Sequence, residues 1–175
     1  MTKMKASDAL FTALKDHGVD VIFMLPGGGA MHLVDSLGAS GIRMVSNLHE
    51  QGAGFAAIGH ANMTGKTSVC LVTSGPGATN ATTPCAHAWV DSVPVLFISG
   101  QAPSGMLVGD SGLRCNGPQE IGIIEIVNGI TKIATEVTTG EAVARVAVAM
   151  LDLCQSGRKG PCWLSVPLDV QAEEV

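Results

Sequence analysis

Ser46-Asn-Leu-His-Glu-Gln-Gly-Ala-Gly-Phe-Ala-Ala57 sets one acid, Glu50, in a run of small and apolar residues. The segment before it, Ile42 to Val45, reads as a short strand. The Ala- and Gly-rich run after it reads as a helix, so the stretch is a strand-to-helix junction carrying a carboxylate. A carboxylate with little water around it suits proton transfer. The competing reading is a helix cap, since acids are favoured in a first turn by the positive end of the helix.

The same alternation extends in both directions. Residues 6 to 17 predict an amphipathic helix, with Ala6, Ala9, Leu10, Ala13 and Leu14 at helical spacing and Gly18 as its stop. Val19 to Leu25 predicts a buried strand, broken by Pro26-Gly-Gly-Gly29. Ala30 to Leu37 predicts a helix ended by Gly38, and His49 to Met63 a helix ended by Gly65. Ser68 to Val72 is the third strand, followed by the loop Thr73-Ser-Gly-Pro-Gly77. Ala78 to Trp89 predicts a helix that Pro84 kinks or divides. Val93 to Ser99 is the fourth strand, and Gly100 to Gly117 a loop long enough to suggest function. Pro118 to Val127 predicts a helix from its proline start, Ile130 to Thr135 a strand, Gly140 to Cys154 a helix, and Pro161 to Val166 the last strand. Strands and helices in this order predict an α/β fold: a single domain with an about six-stranded, mainly parallel sheet and helices on both faces. The domain is expected to occupy residues 1–170, with 171–175 an acidic terminus or the start of a linker.

The totals bound the function. A chain of 175 residues fits one domain and can bury a core. With 46% apolar and only 14% charged residues, part of the surface is expected to be covered by another protein. A net charge of −5 offers no basic patch, which argues against nucleic acid. The five cysteines form no Cys-x-x-Cys pair, so neither a disulfide framework nor a zinc site is indicated. Histidines 17, 32, 49, 60 and 87 have no metal-binding spacing, so no metal ligand is expected in this chain. No signal peptide and no apolar run long enough for a bilayer are found; a cytoplasmic location without membrane attachment is the expectation.

In a parallel sheet the carboxyl ends of all strands share one edge, and ligands bind there. Pro26 to Gly29, Asn47 to Glu50, Thr73 to Gly77 and Ser99 to Gln101 all follow strands, so they are expected to converge, with Glu50 as their only acid. Glycine at this density lets a flat ligand lie on bare backbone; the alternative is that these are ordinary turn glycines. Gly75-Pro-Gly-Ala-Thr-Asn80 begins like a dinucleotide fingerprint but ends in Asn, and no phosphate-binding Gly-x-x-x-x-Gly-Lys loop exists. Ser74 and Ser36 lack the Gly-x-Ser-x-Gly elbow of a nucleophilic serine.

Four motifs together resemble the N-terminal, pyrimidine-binding domain of thiamine-diphosphate enzymes, in particular acetolactate synthase-like decarboxylases and carboligases. They are Asn47-Leu-His-Glu-Gln51, Thr73-Ser-Gly-Pro-Gly-Ala-Thr-Asn80, Asp91-Ser-Val-Pro-Val-Leu-Phe-Ile-Ser-Gly-Gln101 and Gly160-Pro-Cys-Trp-Leu-Ser-Val-Pro-Leu-Asp169. The resemblance implies that Glu50 is the glutamate that hydrogen-bonds the aminopyrimidine and promotes proton removal from the thiazolium carbon. It implies that Pro76, Gly77 and Asn80 pack beside the pyrimidine, and that Pro26, Gly27 and Gly28 lie near the reacting end of the cofactor. Gln119 and Gln101 match positions near the substrate, and His49 adjoins Glu50. The implied substrate is a 2-oxo acid such as pyruvate.

The chain departs from that family in one respect. The family holds magnesium and the diphosphate on another domain, with a Gly-Asp-Gly and a distant Asn; the closest string here is Gly109-Asp-Ser111. The expectation is therefore a small subunit of a split enzyme, inactive alone. A partner chain would hold Mg2+ and the diphosphate in a homo- or hetero-oligomer. FAD occurs in some members, at a site largely outside this domain, and no residue here indicates it. The alternatives are a non-catalytic assembly module and, more distantly, a nucleotide-binding α/β domain.

Overall fold

The computed structural model describes residues 3–175. α1 (Ala6–Asp16), β1 (Val21–Met24), α2 (Met31–Ser40), β2 (Arg43–Ser46), α3 (Glu50–Thr64) and β3 (Ser68–Val72) form the first half. α4 (Pro76–Asn80), α5 (Thr82–Val90), β4 (Val95–Gln101), α6 (Ile123–Val127), β5 (Ala134–Glu136), α7 (Gly140–Gln155), β6 (Cys162–Pro167) and α8 (Leu168–Ala172) form the second. Short 3-10 turns lie at Gly28–Ala30, Ser104–Met106 and Asn128–Ile130.

The six strands make one sheet in the order β2-β1-β3-β4-β6-β5, and every pairing is parallel. β3, β4 and β6 are buried along their whole length, as strands covered on both faces must be. On one face Leu10, Phe11 and Leu14 of α1, Leu33 and Leu37 of α2 and Val143 and Met150 of α7 pack on Ile22, Leu71, Ile98 and Leu164. On the other, Ala53, Ala57 and Ala61 of α3 and Cys85 and Ala88 of α5 pack on Cys70, Val72, Phe97 and Trp163. Trp163 stacks on Phe97 with ring centroids 5.2 Å apart, and its indole N–H donates to Ser99 Oγ at 3.0 Å.

Strand order reverses at β1: the chain first steps out to β2, then returns past β1 to β3. Loops leaving β1 and β3 therefore diverge at the carboxyl edge and open a crevice between them, the usual place for a ligand in such sheets. That crevice is where the glycine-rich segments lie.

Several boundaries differ from the sequence expectation. Gly38 does not stop α2; a Cβ there would meet nothing within 4 Å, and the stop is Gly41, at φ +76°. The helix expected over 78–89 is split at Ala81 into α4 and α5. Pro84 has no N–H for the carbonyl of Asn80, so one continuous helix cannot form across that turn. The helix expected from Pro118 begins only at Ile123, because Gln119 takes φ +55°. α8 was not expected. Residues 171–175, set apart by the sequence as a tail, fold back on the body: Val175 and Met4 exchange backbone hydrogen bonds at 2.9 and 3.1 Å, and Glu173 accepts from Gly140 N at 2.5 Å.

Candidate functional site

Glu50 is the first residue of α3. The cap of that helix is His49, extended at φ −157°, whose Nδ1 accepts from Gln51 N at 3.1 Å. Capping is thus done by the imidazole, and the carboxylate of Glu50 reaches away to the loop after β3. Glu50 is only 8% exposed, and Asn80 Nδ2 donates to its Oε2 at 3.0 Å. Its Oε1 faces Gly77. A Cβ on Gly77 would lie 3.0 Å from that oxygen and 2.5 Å from Thr73 Cγ2, so the bare backbone packs directly against the carboxylate and a larger residue would crowd it.

Local sequence explains how the two loops meet. Gly75 turns the chain out of β3 at φ +56°, a conformation that favours glycine, and Pro76 starts α4 at a position where its missing N–H costs nothing. Thr73 is shared. Its Oγ1 accepts from Gly29 N at 3.0 Å, and a Cβ on Gly27 would lie 2.5 Å from Thr73 Cβ. Gly27, Thr73, Gly77, Glu50 and Asn80 therefore form one contiguous cluster spanning the crevice. Pro26 and Gly28 are exposed at its rim and, with Met31, Val34 and Asp35, line an open hollow of about 460 Å³.

The remaining expected residues are placed differently from one another. Gln119 is exposed, but its backbone abuts Gly75: a Cβ on Gly75 would overlap the Gln119 carbonyl oxygen. His49 is exposed beside Glu50. Gln101 stands apart. Its Nε2 donates to Ile121 O at 3.0 Å and Glu136 Oε2 at 3.3 Å, and its Oε1 accepts from Ala102 N at 2.9 Å, so both ends of the amide are committed. It lines a separate cavity of about 510 Å³ toward β5, together with Arg114, Glu120, Glu125 and Glu136. Thr73, at the head of the second glycine loop, is the residue that the structure adds to those expected from the sequence.

Two titratable groups nearby have clear causes. Burial would raise the Glu120 carboxyl, but the N–H groups of Val108, Asn116 and Gly117 outweigh it, at 2.5, 3.0 and 3.0 Å, and hold it below the ordinary range. This nest fixes the loop that carries Gln119. Burial, then the Glu50 charge, pushes the Cys70 thiol well up, so it is inert as a nucleophile. Among the described residues no cluster of three His, Cys, Asp or Glu side chains is placed to hold a metal, and no helix is long and apolar enough to cross a membrane.

Comparison with known sequences gives the site a context. Residues 4–126 match the family described as thiamine pyrophosphate enzyme, N-terminal TPP binding domain. The chain is 40% identical over 171 residues to an acetolactate synthase of Mycobacterium bovis, covering 97% of this chain and 27% of that protein. It is 42% identical over 172 residues to the chloroplastic acetolactate synthase 2 of Nicotiana tabacum, covering 98% and 25%. It is 39% identical over 168 residues to the large subunit of acetolactate synthase isozyme 2 of Escherichia coli, covering 96% and 30%. The chain thus spans between a quarter and a third of the length of these relatives.

Proposed function

From the premise that the chain belongs to the thiamine pyrophosphate enzyme family, as its N-terminal TPP binding domain, we propose that it supplies the pyrimidine-binding half of a 2-oxo acid decarboxylase or carboligase. One observation carries this reading: a nearly buried carboxylate, Glu50, has Asn80 on one oxygen and side-chain-free Gly77 beside the other. Bound at this site, thiamine diphosphate would supply a nucleophilic carbon and an electron sink for decarboxylation of a 2-oxo acid such as pyruvate. The chain's own residues have distinct tasks. Asn80 holds Oε2 and so fixes the carboxylate plane. Oε1 is the atom assigned to hydrogen-bond a ring nitrogen of the pyrimidine and to exchange a proton there. Pro76 and Gly77 offer a flat wall, while Pro26, Gly27 and Gly28 shape the mouth. Gln119 and His49 are the side chains nearest an incoming substrate.

The second part of the reading is a partner chain that carries the Gly-Asp-Gly motif, Mg2+ and the diphosphate. Support comes from the outer face of α3. Gly52, Phe55, Gly59 and Met63 point outward, and Gln51 to Thr64 contain no Asp, Glu, Lys or Arg. Leu48, two residues before Glu50, is fully exposed. An apolar face adjoining a half-built site is what a protein partner would cover. A cytoplasmic assembly fits this reading.

The test is purification from the source cell with whatever partner accompanies the chain, followed by pyruvate turnover with thiamine diphosphate and Mg2+. Glu50→Gln and Glu50→Ala are expected to assemble normally and to lose turnover by at least about a hundredfold, the usual contribution of positioned acid–base groups. Normal turnover in Glu50→Gln would sink the mechanism. Recovery of the chain with only copies of itself, and without activity, would favour the assembly-module alternative.

A further inference from the structure

Gln171 lies in α8, outside the matched stretch 4–126, and is completely buried. Its Nε2 donates both hydrogens to backbone carbonyls, to Val166 O at the end of β6 and to Gly29 O, each at 2.8 Å. β1 and β6 are not neighbours; β3 and β4 lie between them. The segment Gly27–Gly29 therefore leaves β1 and runs as a strap across the carboxyl edge of the sheet. Glycine in β4 permits the crossing: a Cβ on Gly100 would overlap the Gly29 carbonyl oxygen and lie 2.8 Å from Ala30 N. Gly29 is then held at both backbone groups, its N–H by Thr73 Oγ1 at 3.0 Å and its carbonyl by Gln171.

The other end of the Gln171 amide is informative. Its Oε1 has no hydrogen-bond partner among the described residues. A buried acceptor without a partner costs about 1–3 kcal/mol. An apolar side chain of similar length, such as Met, would avoid that cost, so the feature that sets glutamine apart here is its two donors. The reverse amide orientation would set Oε1 against two carbonyl oxygens, which excludes it.

We propose that Gln171 is a positioning residue for the candidate site. Its amide locks the Gly27–Gly29 strap, and the strap bears through Thr73 on Gly77 and hence on the Glu50 carboxylate. This rests on the pyrimidine-binding reading for its functional consequence, but the clamp itself can be measured separately. Gln171→Met keeps the volume and removes both donors. Val170→Ala is the control, a buried apolar residue of the same helix whose side chain has no donor for Gly29.

Hydrogen–deuterium exchange of peptides spanning residues 25–31 is the first readout, on the chain with its partner. Gln171→Met is expected to exchange about tenfold faster there, the scale of one lost buried hydrogen bond. Val170→Ala should lower the melting temperature without that local change. The second readout is thiamine diphosphate affinity, expected to weaken about tenfold in Gln171→Met and to stay within twofold in Val170→Ala at similar stability loss. Equal strap exchange in the two variants overturns the clamp. Faster exchange with unchanged affinity overturns its role at the site. If the wild-type protein binds no thiamine diphosphate, the pyrimidine reading fails while the exchange result still decides the clamp. Should Gln171→Met not fold, Thr73→Val leaves Gln171 as the remaining anchor of Gly29; protection at residues 25–31 is then expected to fall only in part, and its complete loss counts against the clamp.

Discussion

Gly77→Ala tests the site with a single methyl group. Its carbon would fall 2.5 Å from Thr73 Cγ2 and 3.0 Å from Glu50 Oε1, while ordinary contact begins at 3.4 Å. Thr73 must retreat by about 1 Å, and its hydroxyl cannot follow freely because it accepts from Gly29 N at 3.0 Å. Overpacking of this kind costs about 1–3 kcal/mol. Alanine in place of glycine in a helix returns about 1 kcal/mol, so the net loss is about 0–2 kcal/mol. For a domain of this size each kcal/mol moves the melting temperature by about 2–4 °C, which gives a fall of about 0–8 °C. The functional loss is larger, because the methyl presses on the carboxylate oxygen assigned to the ligand. A misplacement of about 1 Å at a reacting centre costs about a hundredfold. The assay pairs thermal unfolding with pyruvate turnover in the assembled enzyme. Gly59→Ala is the companion variant: it lies on the exposed face of α3, a Cβ there would meet nothing within 4 Å, and it should raise the melting temperature of the chain by about 2–4 °C. Turnover within twofold of wild type in Gly77→Ala would refute the assignment of this oxygen to the ligand.

Two further outcomes follow from the same geometry. Asn80→Ala removes the donor to Glu50 Oε2; since Asn80 is exposed and water can replace part of its bond, stability should fall by less than about 1 kcal/mol, while kcat drops about tenfold as the carboxylate loses its fixed plane. Unchanged kcat in that variant would show that the carboxylate needs no such hold. Glu120 gives a pH dependence with a definite sign. Its folded value lies below the ordinary 4.5, so its contribution to stability is present above about that pH and disappears as pH falls through the lower folded value. Exchange in the 108–117 loop should accordingly rise below pH 4.5 in the wild type and be fast at all pH values in Glu120→Gln; a pH-independent wild-type loop would contradict the nest.

Much of the fold was legible because the signals were local. Val69 to Val72 and Leu96 to Ile98 are continuous apolar runs, and α1 and α7 carry clear helical periodicity. What was misread depended on distant partners. Pro118 looks like a helix start, but Gln119 is held at positive φ where Gly75 and the Glu120 nest meet, and no local pattern reports that. α8 has five residues, too few to show a period. Within the site, Glu50 and the glycine loops stood out by composition, and their convergence followed from parallel strands. The Asn80 contact to Glu50, across 30 residues, is a tertiary contact that no local pattern reports. Gln171 carried no signal at all, since a lone glutamine near the end of a chain resembles any surface residue.

The strap also imposes an order of events on the growing polypeptide. Gly29 and the glutamine that clamps it are 142 residues apart in sequence, and the glutamine belongs to α8. During synthesis the strands β1, β3 and β4 can pair while the strap is anchored only through Thr73. Long-range closures of this kind come late and slowly. Until α8 is available, Gly29 has only its Thr73 anchor. Fastening of the strap thus waits on a residue made 142 positions after the glycine it holds.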